Sequence, residues 1–490
     1  EVEGLQPDFL VTHLVYPLRL EGDRLDVAMA VPQDPFLLKA LHLATGLQIR
    51  PFLGMEGEIE KALAQPADAA AEGADDGFGD DEGLGGDFVE HLKDLASEAP
   101  VIRLVTSIIG RVIDLRASDI HLEPFDDGLH VRYRVDGVIL DGELVPPKLS
   151  AAVNSRVKLL AHLDIAERRL PQDGRIKTRV KGRELDLRVS TVPTVHGESV
   201  VMRVLDRASV RFSLESMGFA TDSLSRFNAL LAKPHGIVLV TGPTGSGKTT
   251  TLYAALSKLD ATTQKIITVE DPVEYRLPGL NQVQVMEKID LGFERVLRAA
   301  LRQDPDIVLV GEMRDQVTAE IGMRAAITGH LVLSTLHTND ALSTPLRLID
   351  MGVPRYMVAL SLQLVLAQRL VRVVCPHCAE PHRPDAAQRQ WLRLELGDAV
   401  DAEDGPLVRR ARGCSACNDT GYSGRTGVFE FIEMTQELVD AMNHGEPAAF
   451  AQAARRQMDG YTLRRDAVRL ALAGRTTLDE AMRVATQLDD

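Results

Sequence analysis

The chain has 490 residues, 45% of them hydrophobic and 26% charged, ordinary globular values for a protein of two to four domains. Lys and Arg number 55 against 71 Asp and Glu, a formal charge of −16, and only 4% of residues are aromatic. This leaves little material for a basic groove with stacking platforms for nucleic acid, and a wholly disordered chain is excluded.

Residues 1–64 combine short apolar runs at 9–16 and 25–30 with a helix-like segment over 35–45 that Gly46 can cap. They read as a small α/β module, cut short at its start because the chain opens on Glu1. Residues 65–90 carry nine acids, six glycines and no Lys or Arg, too little apolar surface to fold alone, so 65–98 is expected to be a flexible acidic linker. A second, arginine-rich domain is expected over 99–207, with an amphipathic helix at 101–116 and strands at 119–122, 129–135 and 184–192. A connector follows over 208–233, with a helix around 223–231. From Gly236 short apolar runs at 237–240, 266–269, 307–310 and 331–335 alternate with helical stretches, the pattern of a parallel sheet over 234–374. Residues 375–425 hold all four cysteines, and 426–490 hold helical segments at 463–472 and 478–488. The longest purely apolar stretches are far shorter than the roughly 20 residues that span a bilayer. No basic region followed by an apolar segment suggests a secretory signal.

Gly242-Pro243-Thr244-Gly245-Ser246-Gly247-Lys248-Thr249 fits the P-loop pattern G-x-x-x-x-G-K-[ST] at every fixed position. An apolar strand precedes it and a helical segment from Thr250 follows. Such a loop turns backbone N–H groups toward phosphates, Lys248 can reach the β and γ phosphates, and Thr249 can ligate Mg²⁺. The expected ligand is ATP with Mg²⁺. Two acids follow apolar strands directly, Glu270 (with Asp271) and Glu312. In an open parallel sheet these strand ends line the ligand crevice, where a carboxylate can orient the attacking water or hold the metal. Gly311 stands where a strand-end aspartate is usual, which leaves the division of labour between the two glutamates open. His337 ends another apolar strand, at the place of a γ-phosphate sensor.

Cys375-Pro-His-Cys378 and Cys414-Ser-Ala-Cys417 supply four thiolates, enough to complete the tetrahedral shell of a structural Zn²⁺. His377 is a competing ligand. Cysteines used in this way suit a reducing compartment, so the chain is expected to be cytoplasmic.

These residues carry a specific resemblance. The P-loop, Val269-Glu270-Asp271-Pro-Val-Glu274-Tyr275, Gly311-Glu312 and the segment from His330 to His337 resemble, in order, the Walker A, Asp box, Walker B and His box of the type II secretion and type IV pilus ATPases, the GspE/PilB superfamily. Ala117-Ser-Asp119-Ile-His121-Leu-Glu-Pro and Glu167-Arg-Arg-Leu-Pro171-Gln-Asp-Gly174-Arg175 resemble that family's PAS-like second N-terminal domain. The resemblance covers nearly the whole chain and implies a RecA-like ATPase core. With the cysteine insert it is nearer to type II secretion ATPases, although pilus-extension ATPases share most of these features and retraction ATPases usually lack the insert. It further implies a homohexamer in which Arg175 and Arg188, with Arg203 as a third position, approach the nucleotide. The implied partners are the cytoplasmic domain of a GspL-like inner-membrane protein and a GspF-like platform protein, which hold the ATPase peripherally at the inner membrane. The work implied is pseudopilus assembly and export of folded proteins. The rival readings are a nucleic-acid translocase, which the charge disfavours, and a nucleotide-binding scaffold that does not hydrolyse. Whether the first module binds a regulatory dinucleotide stays open.

Overall fold

The computed structural model describes residues 15–54 except 23, 30, 31, 33 and 34, then 98–205, 212–397, 406–444, 447–458 and 461–489, with isolated positions 10, 32, 59 and 96. The expected linker over 65–98 and the start of the apolar run at 9–16 lie almost wholly outside these residues. The chain divides into two compact units, residues 1–82 and 83–490.

In the first unit β1 (Val15–Glu21) pairs antiparallel with β2 (Arg24–Met29), helix α1 (Pro35–Thr45) crosses over, and β3 (Gln48–Leu53) pairs parallel to β2. Alternation turns Leu25, Val27 and Met29 to the side where Leu37 and Leu41 of α1 close a small core. Gly46, at φ +71°, ends the helix and donates to the His42 carbonyl at 2.8 Å.

The second unit opens with α2 (Ala99–Leu115), then β4 (Asp119–Phe125), β5 (Gly128–Val135), β6 (Val138–Val145), α3 (Pro147–Leu160), β7 (Gln172–Val180), β8 (Arg183–Thr194) and β9 (Gly197–Leu205). The six strands form one antiparallel sheet in the order β6-β5-β4-β9-β8-β7. Its apolar face, including Ile120, Leu122, Val131, Leu187 and Met202, packs with Val101, Val105, Ile108 and Val112 of α2 and Val153 and Val157 of α3. The opposite face is charged. Arg175, Arg188, Arg203 and Asp119 are successive cross-strand partners on β7, β8, β9 and β4, so their side chains share that face.

After α4 (Thr221–Leu231) come β10 (Gly236–Thr241), α5 (Lys248–Lys258), β11 (Ile266–Glu270), β12 (Asn281–Gln284), α6 (Phe293–Ala300), β13 (Ile307–Val310), α7 (Gln316–Ile327), β14 (Leu331–Leu336), α8 (Ser343–Asp350), α9 (Arg355–Ser361) and β15 (Leu362–Val374). The small strands β16 (Ala379–His382) and β17 (Val408–Ala411) flank α10 (Ala386–Leu396), and β18 (Tyr422–Glu433) follows. The chain ends in α11 (Gln436–His444), α12 (Pro447–Gln457), α13 (Leu463–Leu472) and α14 (Leu478–Asp489). The central sheet runs β12-β11-β13-β14-β10-β15-β18, parallel except for β18. One face is closed by α4 and α5, the other by α6, α7, α9 and the C-terminal helices. Residues 426–433, expected to open the helical tail, are strand residues of this sheet. The cysteine segment thus lies between two paired strands of the ATPase sheet.

Candidate functional site

β10 is buried along its length and delivers the chain to Gly242. Gly242 and Gly247 have φ of +145° and +88°, and a Cβ on them would stand 2.4 Å from the Gln368 carbonyl and 2.8 Å from the Gln368 amide nitrogen. Neither position admits a side chain. Gly245 has nothing within 4 Å and leaves the loop tip open. α5 begins at Lys248 without a side-chain cap, so its first N–H groups are available to an anion. Lys248 is buried and donates to the carbonyls of Gly242 at 2.7 Å and Pro243 at 3.1 Å. The Ser246 hydroxyl is buried without a partner, and Thr249 and Thr250 lie exposed on the first turn. This glycine cradle, orphaned hydroxyl and helix N-terminus fit the phosphates of a nucleotide.

Burial, and after it the charge of Arg369, pushes the Lys248 ammonium down to about 8. A bound polyphosphate favours the charged form and raises that value again. Below pH 8 the ammonium is charged before binding, whereas above it each nucleotide that binds must also take up a proton. Affinity for ADP without Mg²⁺ is therefore expected to hold steady up to pH 8 and then weaken by up to about tenfold per pH unit. Calorimetry at pH 9 in buffers of different ionisation enthalpy should register the uptake, and a heat independent of buffer would refute the coupling.

The acids separate clearly. Glu270 is buried, and its carboxylate accepts from Tyr253, from Thr268 at 2.5 Å and from Gln282 at 3.2 Å. Glu312, at the end of β13, is partly accessible. One of its oxygens lies 3.2 Å from His337 Nε2, and Arg314 lies against the other. Arg314 also reaches Asp271 at 3.7 Å. Burial, then Lys248 and Arg314, hold the His337 imidazole below its usual range, so it is neutral near pH 7. Gly311 donates to the Val269 carbonyl at 2.8 Å, and a Cβ there would stand 3.2 Å from that oxygen. The close approach to β11 accounts for glycine at the strand end.

Within this chain the arginines are engaged elsewhere. Arg175 forms a two-bonded pair with Asp186, Arg203 donates to Asp119 at 2.9 Å, and Arg188 lies 3.2 Å from Glu274, just beyond β11. Among the described residues none of the three bonds to the P-loop.

The four cysteine sulfurs lie within 4.8 Å of one another, with Cys375–Cys414 at 3.9 Å, Cys378–Cys417 at 3.8 Å and Cys414–Cys417 at 3.7 Å. A tetrahedron with metal–sulfur bonds of about 2.3 Å has edges of roughly 3.8 Å, so this donor set fits zinc. His377 is exposed and outside the cluster.

The "Type II/IV secretion system protein" family model matches residues 94–483, and the "MshEN domain" model matches residues 1–72. The chain is 48% identical to a "Type II secretion system protein E" of Xanthomonas campestris, over 99% of this chain and 85% of the relative. It is 43% identical to the "Type IV pilus assembly ATPase PilB" of Myxococcus xanthus, over 96% and 84%. The chain belongs to the type II/IV secretion system protein family. It is a secretion ATPase, with ATP hydrolysis coupled to protein transport. A crystal structure of the pilus retraction motor PilT with bound ADP superposes with a TM-score of 0.51 at 26% identity, covering 77% of this chain and 96% of that one, in keeping with the RecA-like core.

Several site residues of this secretion ATPase escape sequence reasoning. Arg314 carries a signal, because it stands two residues after Glu312 at a strand end. Tyr253, Thr268 and Gln282, which hold Glu270, carry none, since an ordinary helix or strand position explains each. Gln368 is legible only once β15 is known to lie beside β10. It accepts from Thr251 at 2.6 Å and supports the P-loop from below.

Proposed function

We propose that this ATPase drives type II secretion, powering pseudopilus assembly and export of folded proteins. The observation that carries this reading is the 48% identity to a type II secretion protein E over 99% of the chain. The pilus-assembly relative, at 43%, is the second reading. In the site, Gly242–Thr250 hold the triphosphate and Lys248 neutralises its β and γ oxygens. Thr249 holds Mg²⁺, which when bound would offset charge developing on the phosphoryl oxygens. Glu312 orients the attacking water, and His337, hydrogen-bonded to it, senses the γ-phosphate. Glu270 acts from behind the site by fixing the segment after β11. Cys375, Cys378, Cys414 and Cys417 hold structural Zn²⁺.

The working form is a cytoplasmic homohexamer held at the inner membrane by a GspL-like cytoplasmic domain and a GspF-like platform protein. Arg175 and Arg188, with Arg203, approach the nucleotide once the ring assembles. Their alignment on one charged face supports this, since among the described residues none of the three bonds to the P-loop of its own chain. Specific Mg-ATPase activity is therefore expected to rise with protein concentration in step with hexamer formation on a sizing column. A rate per chain that stays constant from monomer to hexamer would refute completion of the site in the ring. A confirmed hexamer that binds ATP without turnover would favour the scaffold reading.

A further inference from the structure

We infer that Arg369 on β15 and Glu430 on β18 are positioning residues for hydrolysis, two buried polar side chains that hold the loop of residues 337–341. The inference rests on the reading of His337 as part of the reaction centre.

Arg369 is 6% exposed and Glu430 5%. Ala367 and Glu430 are direct cross-strand partners, as are Arg369 and Val428, so the side chains of Arg369 and Glu430 are diagonal neighbours on one face of the sheet. That face is otherwise lined by Ala367, Val371, Val428 and Ile432, all within the hydrophobic core. Polar groups in such surroundings are costly unless each is well bonded, and burial holds the Glu430 carboxyl above its usual range. Arg369 spends its bonds on one loop, and Glu430 ties the same loop to the start of α13. Arg369 Nη2 donates to the carbonyl and side-chain oxygens of Asn339 at 3.4 and 3.2 Å. One oxygen of Glu430 accepts from Ala341 N–H at 2.8 Å, and the other from Leu463 N–H at the start of α13 at 3.1 Å.

The loop is secured on its other side as well. The Thr338 hydroxyl lies 2.6 Å from that of Thr241, the last residue before the P-loop, and 2.6 Å from that of Thr344. His337 thus leads into a segment fixed from β10 on one side and from β15 and β18 on the other. An apolar pair at 369 and 430 could make none of these bonds to residues 339 and 341. Arg369 is also close enough to Lys248 for its charge to lower the lysine's proton affinity, which places it near the phosphate end of the site. Its Nε is buried without a partner, so the guanidinium is not fixed by a complete set of bonds of its own.

The test is steady-state ATPase kinetics with ADP-binding measurements on the full chain, for Arg369→Gln, Arg369→Lys, Glu430→Gln and Asn339→Ala, each with and without His337→Ala. Asn339 is exposed, so its truncation probes the loop side of the contact without disturbing the core. Displacing a positioned group by about an ångström can lower turnover by on the order of 10–100-fold. A fall in kcat of that size is expected for Arg369→Gln, with smaller falls for Glu430→Gln and Asn339→Ala, partial recovery in Arg369→Lys, and KM and ADP affinity within about threefold of wild type. With His337 already removed, the same substitutions should cost no more than about twofold, because the two act through one step. Equal losses with and without His337, or losses shared by ADP affinity, would overturn the clamp in favour of a merely structural pair. So would unchanged kcat in both Arg369→Gln and Asn339→Ala. A His337→Ala variant at full rate would instead overturn the site reading, and the inference with it.

Discussion

Glu312→Gln is expected to lower ATP turnover by about 10²–10⁴-fold while leaving ADP affinity within about threefold. The amide has the shape of the carboxylate and keeps one acceptor oxygen, so the β13 terminus and the P-loop should stand unaltered. In the proposed role, what it loses is the charge that would orient and polarise the attacking water. Glu312 is suited to that work because it is partly accessible and faces a neutral His337, 3.2 Å away. Glu270 is not, because its oxygens already accept from Tyr253, Thr268 and Gln282. An amide there would turn an NH₂ group against one or more of these donors, leaving buried groups unpaired at about 1–3 kcal/mol. Glu270→Gln should accordingly lower the melting temperature, with a smaller effect on kcat. Both variants can be measured in one series with ATPase rate, mant-ADP titration and thermal melts. Full turnover by Glu312→Gln, alongside collapse in a thermally normal Glu270→Gln, would reverse the assignment of the two carboxylates.

The parts of this fold that were legible are those whose signal is local. Four buried parallel strands read as short apolar runs because both of their faces are covered, and α13 spans 463–472 as periodicity suggested. The P-loop was legible because its glycines answer to backbone geometry at Gly242 and Gly247 rather than to distant partners. The strands β6 and β7 were not. Both lie at the edges of their sheet, and in β7 only Ile176 is buried, so alternation had little to mark. β15 and β18 were missed for another reason. Their long apolar stretches are interrupted by Gln368, Arg369 and Glu430, polar residues whose burial makes sense only after strands and loops far apart in sequence are brought together. The same non-locality hid the roles of the two glutamates. Each follows an apolar strand, and only Tyr253 and Gln282, contributed by α5 and β12, distinguish the enclosed carboxylate from the accessible one.

Metal removal should separate the cysteine segment from the nucleotide site. Apparent free energies for structural zinc are about 10–16 kcal/mol in small sites, far more than the segment can supply by itself. Its own sheet is the four-residue pair β16 and β17, and an isolated two-stranded ribbon is marginal in water. Two backbone N–H groups, from Cys414 and Gly421, point at Cys417 Sγ at 3.2 Å, an arrangement that favours a thiolate and is of little use to a neutral thiol. Cys414→Ser, or treatment with a strong chelator, should therefore release one equivalent of zinc by metal analysis and open residues 376–421 to limited proteolysis. The strands on either side should persist. β15 and β18 pair from Leu364 with Glu433 as far as Val374 with Tyr422, and Gln368, which supports the P-loop, lies well inside that ladder. ADP affinity should therefore stay within about threefold of wild type while the segment is cleaved, as expected for sites that do not share partners. Loss of ADP binding at the same chelator concentration as loss of the segment would show that the two fold as one unit. Retention of zinc by Cys414→Ser would refute the four-sulfur shell.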